Sequence, residues 1–318
     1  MAAGGERPRV DVGVVTWNTR DLTVTALRKL LDSEQGCDVR LLVRDNGSTD
    51  GTVEALRRHV PEAQLYADDR NLGFAGGMNL LLEQRKAPWF FALNSDAWPE
   101  PGCLAALVRV AEQHPDAALV APRLERPDGR LEHSTYPSPS LGVAAFTAVA
   151  GWRWLGARRA RNLLLEGFWL HDEPRDVEWA VGAAWLLRAS ALDDVGLLEE
   201  KFFMYAEDVE WCWRARRRGW RIRFEPQPIV RHVGNASGEQ GYGSTRTAAY
   251  LRNTYRFYRD THGAVSYGAY RTLNAIGCLR LYALARLQSR PDRARIWADH
   301  LAVHLRPLPR TPGEHPLG

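Results

Sequence analysis

Paired cysteines, an apolar leader and a long apolar run are all missing from this sequence. The 318 residues include four cysteines, which are scattered and form no CxxC pair. Neither a disulfide framework nor a cysteine-based zinc site is therefore expected. The first residues, up to Arg9, contain no apolar segment, and no run reaches the roughly 18 uncharged apolar residues of a membrane span. These absences predict a cytoplasmic protein without a transmembrane anchor.

Lysine is absent and acidic residues are scarce near the C-terminus. Residues 245–318 contain twelve arginines and four acidic residues, a net charge of +8 in a chain whose total is +4. Helical spacing from residue 244 places Leu251, Tyr255 and Tyr258 on one face. Such basic helices could dock on anionic lipid at the inner membrane face, pack into a homodimer, or do both, although arginine-rich helices are also often simply solvated. No nucleic-acid partner is expected.

The first 121 residues alternate short apolar runs with helical patterns. Val10 to Thr16 is β-branched and almost uninterrupted, which is typical of a buried parallel strand. Further strands are predicted at 39–43, 63–67, 89–93 and 117–121, and helices at 21–33, 52–60, 72–86 and 102–113. Strands alternating with helices of this length predict an α/β fold, with a mostly parallel sheet covered on both faces.

The later sequence predicts an insertion, a lid and a helical end. Asp128-Gly129 favours a hairpin turn, and short strands are predicted around 177–188, at 221–224 and at 229–232. Residues 134–176 lack a regular pattern and are interpreted as an insertion that either meets an acceptor or a membrane or is a packing flap. The domains predicted are a catalytic domain at 1–243, whose Gly-rich segment 233–243 is a flexible lid, a helical region at 244–306 with helices at 266–289 and 291–304, and a disordered tail at 307–318.

Polar residues follow three of the predicted strands. These clusters are Thr16-Trp17-Asn18, Asp45-Asn46-Gly47-Ser48 and Asn94-Ser95-Asp96. In open α/β sheets the ligand crevice lies at the carboxyl ends of the strands, so the clusters are expected to line one site. Asp96 and His232, each at the end of a strand, offer a carboxylate and an imidazole that suit a divalent ion on a diphosphate, Mn²⁺ more than Mg²⁺. A strand-end histidine can also be simply hydrogen-bonded.

Two adjacent carboxylates, Glu207 and Asp208, stand where a helix is predicted to begin. Acidic residues suit a helix N-terminus because of the helix dipole and the free N–H groups there. Capping alone would explain the pair. The polar clusters upstream, together with the glycines around Gly73 and Gly77 at another helix start, favour a functional role.

The order of these motifs resembles the family 2 glycosyltransferases with the GT-A fold, and within them the bacterial rhamnosyltransferase-like branch. The motifs are Thr16-Trp17-Asn18, Asp45-Asn46-Gly47-Ser48-x-Asp50-Gly51, Asn71-x-Gly73-Phe74-Ala75-x-Gly77-x-Asn79, Leu93-Asn94-Ser95-Asp96, Phe203-Met204-Tyr205-x-Glu207-Asp208-Val209-Glu210-x-Cys212-x-Arg214 and His232. Each is weak alone, but together, in this order and spacing over residues 10–232, they are specific.

The resemblance implies transfer of a sugar, rhamnose or another hexose, with inversion, from a dTDP or UDP donor to a hydroxyl of a saccharide, a lipid-linked glycan or a natural product. It implies that Asp208, beside Glu207, is the general base, that Asp96 holds Mn²⁺ or Mg²⁺ on the diphosphate, and that His232 is a further ligand of the metal or of the diphosphate. The donor would be bound by Thr16, Asn18, Asp45, Ser48, Asn71, Gly73, Gly77, Asn79, Asn94 and Asp96. Trp185, Glu210 and Trp211 would shape the acceptor site, unless they belong to the core.

The sequence departs from the family pattern in the metal motif. Asn94 stands where the first of two carboxylates is usual, and Ser95 stands where this branch often has proline. Asp96 is then the one carboxylate ligand of the motif, which predicts weak metal binding without donor. Glu210 stands where aspartate is frequent, a change that suits either helix packing or acceptor contact.

Two other functions stay open at this point. A nucleotidyltransferase would need a Gly-rich, basic phosphate loop directly after the first strand, and Thr16-Trp17-Asn18-Thr19 is not such a loop. A non-catalytic sugar-nucleotide-binding scaffold is opposed by the intact Glu207-Asp208 pair, but the missing first carboxylate of the metal motif keeps it open.

Overall fold

The computed structural model describes residues 6–151, 157–163, 169–234 and 246–307. The chain divides into two compact units, one of residues 1–136 and 170–240 and the other of residues 137–169 and 241–318. The strands are β1 (Arg9–Thr16), β2 (Asp38–Asp45), β3 (Gln64–Ala67), β4 (Trp89–Asn94), β5 (Ala97–Pro99), β6 (Ala117–Glu125), β7 (Leu131–Glu132), β8 (Thr135–Tyr136), β9 (Arg175–Val177), β10 (Trp179–Ala180), β11 (Ala184–Arg188) and β12 (Arg221–His232). The helices are α1 (Arg20–Asp32), α2 (Thr52–His59), α3 (Gly73–Leu82), α4 (Cys103–Gln113), α5 (Leu141–Ala148), α6 (Ala157–Asn162), α7 (Ala189–Val195), α8 (Glu207–Arg217), α9 (Arg246–Leu287) and α10 (Pro291–Leu305).

A mixed sheet forms the centre of the first unit. Its order is β3-β2-β1-β4-β11-β6-β12-β5, with β7 beside β6 and β9 beside β12. The strands β3, β2, β1 and β4 run parallel, whereas β11 enters antiparallel between β4 and β6. The carboxyl ends of β1, β2 and β4 therefore lie together at one edge of the sheet, as the alternation predicts.

The sheet is covered because its strands are apolar on both faces. Val10, Val12 and Val14 of β1 are fully buried, and one face of the sheet packs against leucines of α1 and α4. On β1, a side chain at Gly13 would come within 2.3 Å of the Phe90 ring, so this position needs glycine for the ring to pack. The predicted elements of residues 10–121 form at nearly the predicted positions.

Two predictions for the later sequence need correction. Residues 221–224 and 229–232 belong to the single strand β12, whose register slips between Glu225 and Ile229. Pro226 and Pro228 explain the slip because proline has no N–H to donate to a ladder. The expectation that 134–176 is irregular is also wrong for the helices α5 and α6. The Asp128-Gly129 turn is confirmed, since β6 and β7 pair antiparallel around it.

The second unit is helical, and α9 is its long element. The helix breaks at Gly263, whose φ of 79° is non-helical. Tyr255 and Tyr258 are buried with Tyr270 in a small core, and Tyr255 Oη lies 2.5 Å from His304 Nδ1 of α10. None of the helices described is both long enough and apolar enough to cross a membrane.

The predicted domain boundaries stay predictions. The proposed lid at 233–243 lies outside the described residues apart from Val233 and Gly234, and the proposed tail at 307–318 lies outside them apart from Pro307.

Candidate active site

Hydroxyl groups tie the end of β1 to the start of α1. Thr16 Oγ1 lies 2.9 Å from Thr19 Oγ1 and 2.8 Å from Thr23 Oγ1, and all three side chains are buried. Thr19 Oγ1 also lies 3.4 Å from Ser95 Oγ. The polar cluster after β1 therefore meets the cluster after β4.

Asp45 ends β2 directly beside Thr16. Asn46 N donates to Thr16 O at 2.9 Å, and Asp45 Oδ1 accepts from Ser48 N at 2.8 Å. The other oxygen, Asp45 Oδ2, is buried and has no hydrogen-bond partner among the residues that the structure describes. A buried carboxylate oxygen without a donor is costly, so Asp45 Oδ2 is a candidate acceptor for an N–H group of a ligand.

Asn18 and Ser48 join the loops that follow β1 and β2. Ser48 Oγ accepts from Asn18 N at 2.8 Å, and Asn18 Oδ1 accepts from Thr49 N at 2.8 Å. Asn18 adopts a positive φ of 50°, a conformation that asparagine tolerates better than most residues. Hydrogen bonds thus connect the predicted donor-binding cluster after β1 to the one after β2.

The glycines at the start of α3 allow close packing within the protein. Gly73 has a φ of 75°, and a side chain there would come within 2.4 Å of Phe203 O. A side chain at Gly77 would come within 2.9 Å of Asn46 Oδ1. Asn71 Oδ1 accepts from Gly73 N at 2.9 Å. The missing side chains let α3 approach Asn46, whose Nδ2 donates to Gly73 O at 2.8 Å, and donor contact by Asn71, Gly73 and Gly77 stays a prediction.

Asn79 is engaged by the segment that follows α7. Its Nδ2 donates to Leu198 O and to Glu200 Oε1, both at 2.9 Å, and its Oδ1 accepts from Leu198 N at 2.9 Å. The side-chain amide of Asn79 therefore joins α3 to this segment, and its contact with the donor stays a prediction.

Asp96 and His232 meet at the end of the sheet. The distance from His232 Nε2 to Asp96 Oδ1 is 3.3 Å, and that from His232 Nε2 to Asn94 Nδ2 is also 3.3 Å. On the other side of the ring, His232 Nδ1 lies 3.0 Å from Glu132 Oε2. Burial would lower the pKa of His232, but the bonds to Asp96 and Glu132 outweigh it and raise the pKa to about 9.

Once the His232 ring has lost its proton, as metal ligation requires, the pair fits a divalent ion whose remaining ligands come from the substrate. Neighbouring ligands of an ion bound at about 2.1 Å lie about 3 Å apart, close to the separation of His232 Nε2 and Asp96 Oδ1. Glu132 fixes the ring through Nδ1, as carboxylates commonly do for histidine ligands. Within residues 6–151, 157–163, 169–234 and 246–307, no group of three or more His, Cys, Asp or Glu is arranged to hold a metal. The remaining ligands would therefore be diphosphate oxygens and water.

Glu132 is a residue of the candidate site that the sequence motifs do not indicate. It lies on the two-residue strand β7, which forms because the Asp128-Gly129 turn brings the chain back along β6. The turn signal is visible in the sequence, but the pairing of Glu132 with a histidine 100 positions later is not.

A tight backbone turn places Glu207 and Asp208 in the first turn of α8. Tyr205 and Ala206 precede the helix with φ values of 71° and 79°, which is uncommon for residues other than glycine and is typical of functional sites. Asp208 Oδ2 accepts from Gly182 N at 3.3 Å, and Asp208 Oδ1 accepts from Val209 N at 2.8 Å.

The two carboxyl groups differ in their tendency to ionise. Burial raises the pKa of Asp208 to about 6, although backbone hydrogen bonds from Val209 and Gly182 oppose it. Burial, and then the neighbouring charge of Asp208, raise the pKa of Glu207 well above its usual range. The charge of Asp208 disfavours ionisation of Glu207, so Asp208 ionises more readily than Glu207, as a general base requires.

The decrease of kcat/KM at acidic pH should reflect protonation of the Asp208 carboxylate. Because the base must be ionised, kcat/KM is expected to fall as the pH drops through about 6, the pKa of Asp208, and to level off above it. The measurement is kcat/KM between pH 5 and 8, with the fold checked by circular dichroism at each pH. A midpoint near pH 4 in a folded enzyme would contradict the assignment of Asp208 as the base.

A chain of contacts links Asp208 to the pair formed by Asp96 and His232. Gly182, which donates to Asp208, precedes Ala183, whose carbonyl oxygen accepts from Asn94 N at 2.9 Å. The side chain of Asn94 in turn lies beside His232. The antiparallel entry of β11 next to β4 thus joins the candidate base to the cluster that holds Asp96.

A family model named "Glycosyl transferase family 2" matches residues 11–172, about half of the chain. The chain belongs to glycosyltransferase family 2. The resemblance deduced from the motifs is confirmed, and the protein is a glycosyltransferase rather than a nucleotidyltransferase or a scaffold. The matched range includes the three strand-end clusters and the Gly-rich start of α3.

Similar proteins are found among both curated proteins and solved structures. The chain is 30% identical over 270 residues to N-acetylglucosaminyl-diphospho-decaprenol L-rhamnosyltransferase of Mycobacterium tuberculosis, covering 81% of this chain and 87% of that protein. It is 30% identical over 232 residues to the pre-mycofactocin glycosyltransferase of the same organism, covering 67% of this chain and 43% of that one. The structure of a Pyrobaculum calidifontis mannosyltransferase in complex with GDP-mannose and Mn²⁺ matches with a TM-score of 0.57 at 18% identity, over 94% of this chain and 81% of that chain. This structural likeness confirms the predicted GT-A fold.

The predicted acceptor residues of this family 2 glycosyltransferase are buried. Trp185 and Trp211 are 2% and 0% exposed, and Trp211 Nε1 donates to Gly196 O at 2.8 Å. Glu210 pairs with Arg214, with 2.7 Å between Oε1 and Nε. These contacts support the alternative that the three residues belong to the core, and their contact with an acceptor stays a prediction.

Proposed function

We propose that the protein transfers rhamnose or a related hexose, with inversion, from a dTDP or UDP donor to a hydroxyl of a lipid-linked saccharide. The observation that carries this proposal is the continuous set of contacts from Asp208 through Gly182, Ala183 and Asn94 to His232 and Asp96. It joins a candidate base to candidate diphosphate-binding groups. The rhamnosyltransferase relative, which aligns over most of both chains, supports the choice of sugar and acceptor class.

In the proposed reaction, the Asp208 carboxylate accepts the proton of the acceptor hydroxyl as its oxygen attacks the anomeric carbon. The new carbon–oxygen bond forms on one face while the bond to the diphosphate breaks on the other, which inverts the configuration. Burial and the charge of Asp208 favour the protonated form of Glu207, so we expect the negative charge of the pair to lie on Asp208. A divalent ion bound by Asp96 and His232 would offset the charge that develops on the diphosphate.

The donor is proposed to lie along the hydrogen-bonded clusters that follow β1 and β2. Asp45 Oδ2 would accept an N–H of the pyrimidine base, which would satisfy a buried oxygen that has no other partner among the described residues. Thr16, Asn18 and Ser48 support Asp45 from the two adjoining loops. A lipid-linked acceptor would place the reaction at the inner face of a membrane.

A donor-binding screen tests this proposal. Calorimetry would compare dTDP-rhamnose, UDP-glucose, UDP-N-acetylglucosamine and GDP-mannose, each with Mn²⁺ and with a chelator. We expect one pyrimidine donor to bind, more tightly with Mn²⁺, and Asp45→Ala to lower its affinity. Asp38→Ala, an exposed position at the other end of β2, is the matched control and should bind normally. Binding of no donor, or preference for GDP-mannose, would refute the proposal.

A further inference from the structure

The part of α9 that follows Gly263 exposes an apolar face. This face, defined here as Val265, Ala269, Ile276, Leu279, Ala283 and Leu287, is exposed along its whole length. Val265 is 91% exposed, Ile276 49%, Leu279 53% and Leu287 82%. Single exposed apolar side chains are normal on protein surfaces, but a continuous row of them marks an interaction site.

The spacing places these residues on one side of the helix. With Thr272 they recur at intervals of three or four positions from 265 to 287, which keeps them aligned on an α-helix. At a rise of roughly 1.5 Å per residue the face is about 33 Å long. Tyr270, Cys278 and Ala285, on the other side of the helix, are buried. The helix therefore packs through one side and presents a second apolar side to its surroundings.

The charged side chains in this stretch of the chain, residues 261–291, are all arginines. Residues 261–291 contain no aspartate or glutamate and four arginines. Arg271 donates to His304 O and Arg280 donates to Ala148 O, so these two hold the unit together. Arg286 and Arg290 are exposed, and Arg286 adjoins Leu287 at the end of the apolar face. Exposed arginines beside an apolar face are typical of helices that bind anionic bilayers.

We propose that the apolar face docks on an anionic lipid bilayer, with α9 lying in the plane of the interface. A bilayer covers apolar side chains and also supplies negative headgroups for Arg286 and Arg290. A second copy of the same helix would offer the apolar cover but no acidic partner, because residues 261–291 have none. The helix is not apolar enough to span the membrane, so it would lie on the surface.

Co-sedimentation of the full chain with vesicles tests this docking. We expect binding to vesicles of phosphatidylcholine with phosphatidylglycerol, and much less to phosphatidylcholine alone. Arg286→Gln/Arg290→Gln should weaken binding to the anionic vesicles roughly fivefold per arginine. Ile276→Gln/Leu279→Gln should weaken it about tenfold or more, and since both side chains are exposed the fold should be kept.

Two controls separate this face from general effects. Arg57→Gln/Arg58→Gln removes the same charge from exposed positions of α2, and Ile296→Gln removes an exposed apolar side chain from α10; both should bind vesicles normally. Absence of binding to anionic vesicles, or an equal loss in either control, would overturn the proposal. So would a dimer, detected by analytical ultracentrifugation, that Ile276→Gln/Leu279→Gln dissociates. No donor or acceptor enters this test, so its outcome does not depend on the proposed reaction.

Discussion

Asp208→Asn is expected to lower kcat by roughly 10²- to 10⁴-fold while donor affinity is nearly unchanged. The amide keeps the size of the carboxylate and can still accept one of the two backbone hydrogen bonds, from Gly182 N or Val209 N, but it cannot take a proton. Turnover and calorimetric donor binding, measured on the same preparation, give the two quantities. A variant that retains near-normal turnover would exclude Asp208 as the base.

Glu207→Gln is the matched comparison for that variant. Because burial and the adjacent charge raise the pKa of Glu207 well above its usual range, a neutral glutamine resembles the protonated form that this environment favours. We therefore expect a far smaller loss of kcat than for Asp208→Asn. The opposite ranking would mean that Glu207 is the base.

Asp96→Ala is expected to remove the response of donor binding to Mn²⁺ and to lower kcat/KM by about 10²-fold or more. Asp96 is the carboxylate beside His232 Nε2, and its loss would leave one protein ligand for an ion that needs several. Calorimetry of the nucleoside diphosphate with Mn²⁺ and with a chelator measures the effect without turnover. If Mn²⁺ still strengthens binding as in the wild type, the proposed metal site is in the wrong place.

Glu132→Gln should give an intermediate result in the same experiment. The glutamine can still hydrogen-bond to His232 Nδ1 but without the negative charge, and loss of such a carboxylate typically weakens metal affinity about 10- to 100-fold. Donor binding with chelator should be unchanged. An unaltered Mn²⁺ response would show that the contact between Glu132 and His232 does not support the site.

The alternating strands and helices could be predicted because each apolar run carries its own signal. The position of β11 could not, since nothing in the local sequence indicates that Ala184–Arg188 enters antiparallel between β4 and β6. The sequence pattern does not predict helix α5, although Ser140 caps it, with Oγ accepting from Val143 N. Its small and apolar residues show little helical periodicity, so the cap was the available signal.

The candidate site shows the same division between local and long-range information. Motif order predicts roles for Asp45, Asp96 and Asp208, which lie at the end of β2, after β4 and in the first turn of α8; their roles stay predictions. It could not show that Asn79 is engaged by Leu198, 119 positions away, or that Glu132 orients His232. Those contacts depend on the segments that the fold brings together. Residue type and spacing do not reveal this long-range information.

Transfer to a defined acceptor tests the central claim most directly. The purified enzyme would be given dTDP-rhamnose, Mn²⁺ and a lipid-linked N-acetylglucosaminyl diphosphate, and the anomeric configuration of the product would be determined by NMR. We expect a glycosylated acceptor whose new linkage has the configuration opposite to that of the donor. A product with retained configuration would contradict the proposed single displacement with Asp208 as base, and absence of any product from an enzyme that binds the donor would contradict the proposed acceptor.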